Sequence, residues 1–303
     1  MMDDPRTTFG RMLTAMVTPF HPDGTLDLDT AQRLATHLVD AGGNDGLVIS
    51  GTTGESPTTT DEEKERLLRA VVEAVGDRAR VIAGVGSNDT AHTMHLAQTA
   101  EKAGAHALLV VTPYYSKPPQ AGLLRHFAAV ADATALPVML YDIPGRTGTA
   151  IHSDTLVRLA AHPRIRAVKD AKADLMAIEE LRATTDLAFY CGDDAYNLPM
   201  LAIGAVGLVS VVGHVAGLQY AEMITAVDAG DLATARRISV RQLPAVRGIM
   251  TRTQGAIMAK AALELLGVIP ARTVRSPLVE ATAEQLAVLR DDLAAAGIEG
   301  VSA

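Results

Sequence analysis

Short, nearly continuous apolar runs recur along this chain, and each is followed by a longer stretch with helical period. The runs cover residues 12–19, 46–51, 80–86, 107–113, 137–144, 166–171, 188–194 and 208–213. Continuous rather than alternating apolarity is what parallel strands covered on both faces require. The clearest intervening segment is TTDEEKERLLRAVVEAVG, which puts Leu67, Leu68, Val71, Val72 and Val75 on one face. Thr60 and Glu63 have the spacing of a capping box at its start. Eight strand–helix alternations predict an α/β fold, a (β/α)8 TIM barrel rather than an open sheet.

Beyond about residue 230 the strand pattern stops. Residues 231–247, 254–267 and 282–297 read as amphipathic helices, with breaks expected at Gly248, at Gly267-Val268-Ile269-Pro270 and at Ser276-Pro277. The expected division is therefore a barrel over residues 1–230, carrying the active site, and a C-terminal helical region over 231–303.

Composition narrows the function classes. A chain of 303 residues, 48% apolar and 20% charged, has ample core for one barrel. A formal charge of −8 offers no attraction to nucleic acid or to an anionic membrane. The single Cys191 excludes a disulfide framework and fits a reducing cytoplasm. No apolar run reaches the roughly 20 residues of a membrane span. The opening MMDDPRTTFG carries acids where a signal peptide would be basic, so a cytoplasmic location is expected.

A barrel gathers its chemistry where strands end and helices begin. Those positions hold Thr18-Pro19, SGTTGES (50–56), Gly86-Ser87-Asn88, TPYY (112–115), YDIPGR (141–146), VKD (168–170), CGDD (191–194) and SVVG (210–213). Six lysines are present. Lys64, Lys102, Lys117, Lys172 and Lys260 sit in helical, loop or otherwise polar surroundings and read as solvated charges. Lys169 ends a strand and points to the rim. A desolvated lysine loses its proton more readily, and the neutral amine forms Schiff bases with ketones. The competing reading is a structural ion pair with Asp170. In GTTGES, the amides of Thr52 and Thr53 between Gly51 and Gly54 could converge on an anion, carboxylate or phosphate, although a ligand-free turn has the same composition. His92 and His95 share a helical face and Asp193 and Asp194 end a strand, with His214 the one nearby histidine. Surface histidines and a capping acid pair are the expected reading, with no metal. Cys191 reads as a packed small residue.

Taken in order, GTTGES, TPYY, YDIPGRTG, VKDAKAD and CGDD resemble the pyruvate-dependent, Schiff-base-forming lyase and synthase superfamily, that of N-acetylneuraminate lyase. Within it, the resemblance is to the 4-hydroxy-tetrahydrodipicolinate (dihydrodipicolinate) synthase family, from about Gly10 to the C-terminal helices. It implies the condensation of pyruvate with L-aspartate 4-semialdehyde in lysine and diaminopimelate biosynthesis, without metal or organic cofactor. Lys169 would form the imine, and Tyr141 would give and take protons. Thr52 would link Tyr141 to Tyr115, reaching in from a neighbouring subunit of a homotetramer. Thr53 would hold the pyruvate carboxylate, the backbone of Gly192 and Val209 would lie near pyruvate, and Arg146 would clamp the semialdehyde carboxylate. Arg146 also separates this family from its sugar-acid aldolase and N-acetylneuraminate lyase relatives, which remain the alternative chemistry. A non-catalytic keto-acid sensor is the alternative of another class, but it would have no use for the two tyrosines. Asp142 stands where many synthases carry asparagine. At the lysine-inhibition site of the family, Ser56 and Asn88 are present. His92 replaces the expected carboxylate, however, and Asp61 and Lys64 replace the histidines, so weak or absent feedback inhibition is expected.

Overall fold

A computed structural model describes residues 4–300; the charge reading of the N-terminus falls partly on residues 1–3, outside the described residues. The eight strands are β1 (Met12–Ala15), β2 (Gly46–Ile49), β3 (Arg80–Gly84), β4 (Ala107–Val111), β5 (Val138–Asp142), β6 (Ile165–Asp170), β7 (Ala188–Cys191) and β8 (Gly207–Ser210). They pair in parallel in chain order, and β1 closes onto β8 with Leu13 opposite Val209. This is the (β/α)8 barrel expected from the alternation, with the C-terminal helices added.

Successive strand residues point to opposite faces, which divides the core in two. One set packs between sheet and helices, with Leu47, Val81, Leu108, Leu140 and Val168 among its members. The other fills the barrel with Leu13, Val48, Ile82, Leu109, Met139, Ala167 and Val209. Burial on both sides explains why the strands look uniformly apolar in sequence. The capping box at Thr60 forms as spaced: Glu63 N donates to Thr60 Oγ1 at 3.2 Å, and Thr60 N donates to Glu63 Oε2 at 2.9 Å.

Two features depart from the sequence reading. A short helix, Pro5–Phe9, precedes the first strand and plugs the base of the barrel. Phe9 packs edge-on against Tyr190, with ring centres 6.1 Å apart, and the Tyr190 hydroxyl lies 3.1 and 2.9 Å from the carbonyls of Pro5 and Gly10. Nor does Gly248 end a helix, because Leu232–Met250 runs through it and through Pro244. A Cβ at Gly248 would lie 3.0 Å from Asp292 Cβ and 3.1 Å from Leu289 Cδ1. Glycine there lets this helix approach Ala283–Ala295 closely. The Asp292 carboxylate then accepts from Arg247 and Arg252 at 3.0 and 2.9 Å.

Candidate active site

The strand register brings the site's two central groups together. Tyr141 on β5 lies directly opposite Lys169 on β6. Both follow interior residues by two positions, Met139 and Ala167, so the same alternation aims both side chains inward. Lys169 Nζ sits 4.1 Å from the centre of the Tyr141 ring, and only 5% of the lysine is exposed.

No carboxylate among the described residues pairs with Lys169. The adjacent Asp170 points the other way, accepting from the amides of Lys172 and Ala173 at 3.1 and 2.8 Å. The ion pair considered as the structural alternative for Lys169 is thus absent, because neighbouring strand residues face opposite sides of the sheet. Burial brings the Lys169 pKa down to about 8; the Asp194 and Cys191 side chains oppose this, and the Arg146 cation reinforces it. Burial likewise pushes the Tyr141 phenol up to about 12, with Arg146 and a hydrogen bond to Thr52 acting against it.

The GTTGES turn folds on itself above this pair. Gly54 N and Ser56 N both donate to Gly51 O, at 3.1 and 3.3 Å, and Thr18 Oγ1 anchors Gly54 O at 2.7 Å. Among the described residues the amides of Thr52 and Thr53 have no acceptor, which leaves two adjacent donors at the mouth. Thr53 is buried beside them.

Arg146 lies in the one-turn helix Pro144–Thr147. It shares a cleft of about 420 Å³ with Thr52, Tyr114, Tyr115 and Tyr141. Lys169 is not on the cleft wall but lies against the ring of Tyr141, which is. Gly192 follows β7, and its amide donates to Asp170 O at 2.7 Å. A Cβ there would come within 2.9 Å of Lys169 Cγ and 3.0 Å of Cε, so the missing side chain is the space the lysine occupies. Val209 is buried in the barrel interior. Tyr115 stands apart: it is 90% exposed, with φ at +71°, on the rim of the cleft.

The acid pair and nearby histidine have structural roles. Asp193 caps a short turn through Ala195 N at 3.1 Å. Asp194 is buried and accepts from the amides of Val211 and Val212 at 2.9 and 3.0 Å, from Asn197 and from Ser210. His214 accepts from Val17 N at 3.1 Å, and burial takes its pKa down to about 4, so the ring is neutral. Cys191 is packed in the core.

Three lysines read as solvated are not. Lys260 is 0% exposed. Its ammonium pairs with Glu55 at 2.5 Å and donates to Thr273 O at 2.6 Å. Glu55 also accepts from Arg275 N at 2.9 Å, and both cations lie 4.3 Å from the Phe20 ring centre. This buried pair ties the GTTGES turn to the helix Gly255–Leu265. Its trace in the sequence was one lysine within the otherwise apolar GAIMAKAAL. Lys172 is the second, paired with the fully buried Asp142 at 2.8 Å, and Lys64 the third, its side chain 16% exposed and its ammonium donating to Thr59 O at 2.6 Å.

A model of the dihydrodipicolinate synthetase family matches residues 8–296. A 4-hydroxy-tetrahydrodipicolinate synthase of Kineococcus radiotolerans is 66% identical over 294 residues, covering 97% of this chain and 95% of that protein. That of Acidothermus cellulolyticus is 69% identical, covering 95% and 93%. Among solved structures, a dihydrodipicolinate synthase of Bacillus anthracis superposes with a TM-score of 0.91 at 40% identity, covering 97% of this chain and 99% of that one. The lysine-bound enzyme of Cyanidioschyzon merolae gives 0.92 at 42% identity, covering 96% and 99%. With a family match along nearly its whole length and an inward lysine and tyrosine in register at the mouth of a closed barrel, the chain belongs to the dihydrodipicolinate synthetase family.

Proposed function

We propose that this chain is a 4-hydroxy-tetrahydrodipicolinate synthase that condenses pyruvate with L-aspartate 4-semialdehyde through an imine on Lys169. The observation that carries the reading is the desolvated, unpaired Lys169 amine beside Tyr141. Neutral Lys169 attacks the keto carbon of pyruvate, and water leaves as the imine forms. Loss of a proton from the methyl carbon gives the enamine, whose carbon adds to the aldehyde. The substrate's amino group then closes on the imine carbon and frees Lys169.

Tyr141 is the proton carrier in these steps. A phenol near pKa 12 is a poor acid or base alone, so the hydrogen bond to Thr52 is part of its function. Thr53, with the free amides of the turn, binds the pyruvate carboxylate, and the backbone of Gly192 and Val209 borders it. Arg146, on the cleft wall, offers a two-pronged partner to the carboxylate of the semialdehyde. That guanidinium favours a carboxylate-bearing acceptor over the polyol aldehydes of the sugar-acid aldolases. Tyr115 completes the relay in a second copy of the chain, a role its exposure supports, within a homotetramer. The expected location is the cytoplasm; among the described residues no helix is long and apolar enough to cross a membrane.

Borohydride reduction in the presence of pyruvate, followed by mass mapping, tests the reading. The expected adduct is on Lys169 and is lost in Lys169→Ala. Turnover with aspartate semialdehyde, and not with sugar aldehydes, is the expected acceptor preference. An adduct at another lysine, or none, rejects the mechanism.

A further inference from the structure

We infer that Lys172 is a positioning residue for the second substrate, because its ammonium closes the loop that carries Arg146; this rests on the acceptor role proposed for Arg146. The loop leaves β5 after Asp142 and returns at Ile151. Its ends are tied across the Asp142 carboxylate. Ile151 N donates to Oδ1 at 3.2 Å, and Lys172 Nζ donates both to Oδ2 at 2.8 Å and to Ile151 O at 3.1 Å. One ammonium therefore holds the outgoing and the returning strand of the loop together.

Between these ends the loop is internally braced. Arg146 N and Thr147 N donate to Ile143 O, each at 3.0 Å, and Gly148 N donates to Pro144 O at 2.9 Å. The Thr147 hydroxyl lies 3.1 Å from Ile143 O and 2.9 Å from Thr149 O. A segment so braced moves as a unit, and its ends decide where the Arg146 guanidinium lies. Gln120 holds the return side through Ala150 O at 2.8 Å and His152 N at 3.0 Å, but it does not touch the outgoing side. Lys172 does, and it stands three residues beyond Lys169 on the turn after β6. Asp142 is fully buried and the lysine side chain is only 16% exposed, so water competes little for the pair. The second carboxylate nearby, Asp170, lies 4.0 Å from the ammonium and is anchored by backbone amides instead.

The test uses the full-length enzyme. In Lys172→Met, kcat/KM for aspartate semialdehyde should fall on the order of 10- to 100-fold, the range expected when a binding group is misplaced by an ångström or less. The loss should appear mainly as a rise in the aldehyde KM. The pyruvate concentration that half-saturates the borohydride-trapped Lys169 adduct should stay where it is, and Lys172→Arg should recover most of the loss. Because Lys172→Met leaves Asp142 buried without a counter-charge, Asp142→Asn/Lys172→Met serves as the folded control, and the aldehyde KM should rise there too. A wild-type aldehyde KM in that folded double variant, or equal rises for both substrates, overturns the inference. Absence of the Lys169 adduct in the wild type instead overturns the function on which it rests.

Discussion

The pH dependence of imine formation reads the environment of Lys169 directly. An ordinary lysine, at 10.5, is neutral in about one molecule in three thousand at pH 7. At about 8, roughly one in ten is neutral, a gain of about 300-fold in nucleophile. The cause is burial, since the amine has no carboxylate partner among the described residues and Arg146 adds a repelling cation. Neutral amine is the reactive form, so the rate should rise about tenfold per pH unit below the break and level off above it. Tyr141, near 12, does not titrate in this range and cannot produce the break. The assay is rapid mixing with pyruvate between pH 6 and 10, quenched by borohydride and scored as Lys169 adduct. Removing the neighbouring cation in Arg146→Met should move the break upward in pH. A rate that climbs without a break past pH 9 would show a solvated amine and refute the argument from burial.

Three further outcomes follow from the geometry. Lys260→Met strands the buried Glu55 carboxylate and should cost about 3–5 kcal/mol in urea unfolding, whereas Glu55→Gln/Lys260→Met should be nearly neutral; a single variant as stable as the wild type would contradict the buried pair. In Gly192→Ala the new Cβ would sit 2.9 Å from Lys169 Cγ and 3.0 Å from Asp170 O, so Lys169 trapping should drop on the order of 100-fold, and unchanged trapping would show that the lysine has other room. Lysine at millimolar concentration should inhibit turnover weakly or not at all, because the Asp61 carboxylate is already engaged by His92 at 2.8 Å and Lys64 at 3.7 Å; strong, saturable inhibition in a steady-state titration would reject this.

Local pattern was enough for the architecture and for the inward placement of Tyr141 beside Lys169. Uniform apolarity in eight short runs encodes burial on both faces of a sheet, and the number of runs encodes closure. Period two along a strand sends Tyr141 and Lys169 inward once Met139 and Ala167 are interior. The capping box at Thr60 lies within four residues and was equally legible. What the sequence could not supply was the partner of each buried charge. Lys260 and Glu55 are 205 positions apart, and Lys172 and Asp142 are 30 apart. Nothing in the spacing of either pair marks a contact. The same holds for Phe9 and Tyr190 at the base of the barrel, and for Gly248, which in sequence reads as a helix end and in space is a helix contact. Periodicity states which face of an element avoids water, since that is a local property of backbone geometry. Which charges then neutralise one another depends on how the closed barrel and its terminal helices bring distant segments together, and only the tertiary structure decides that.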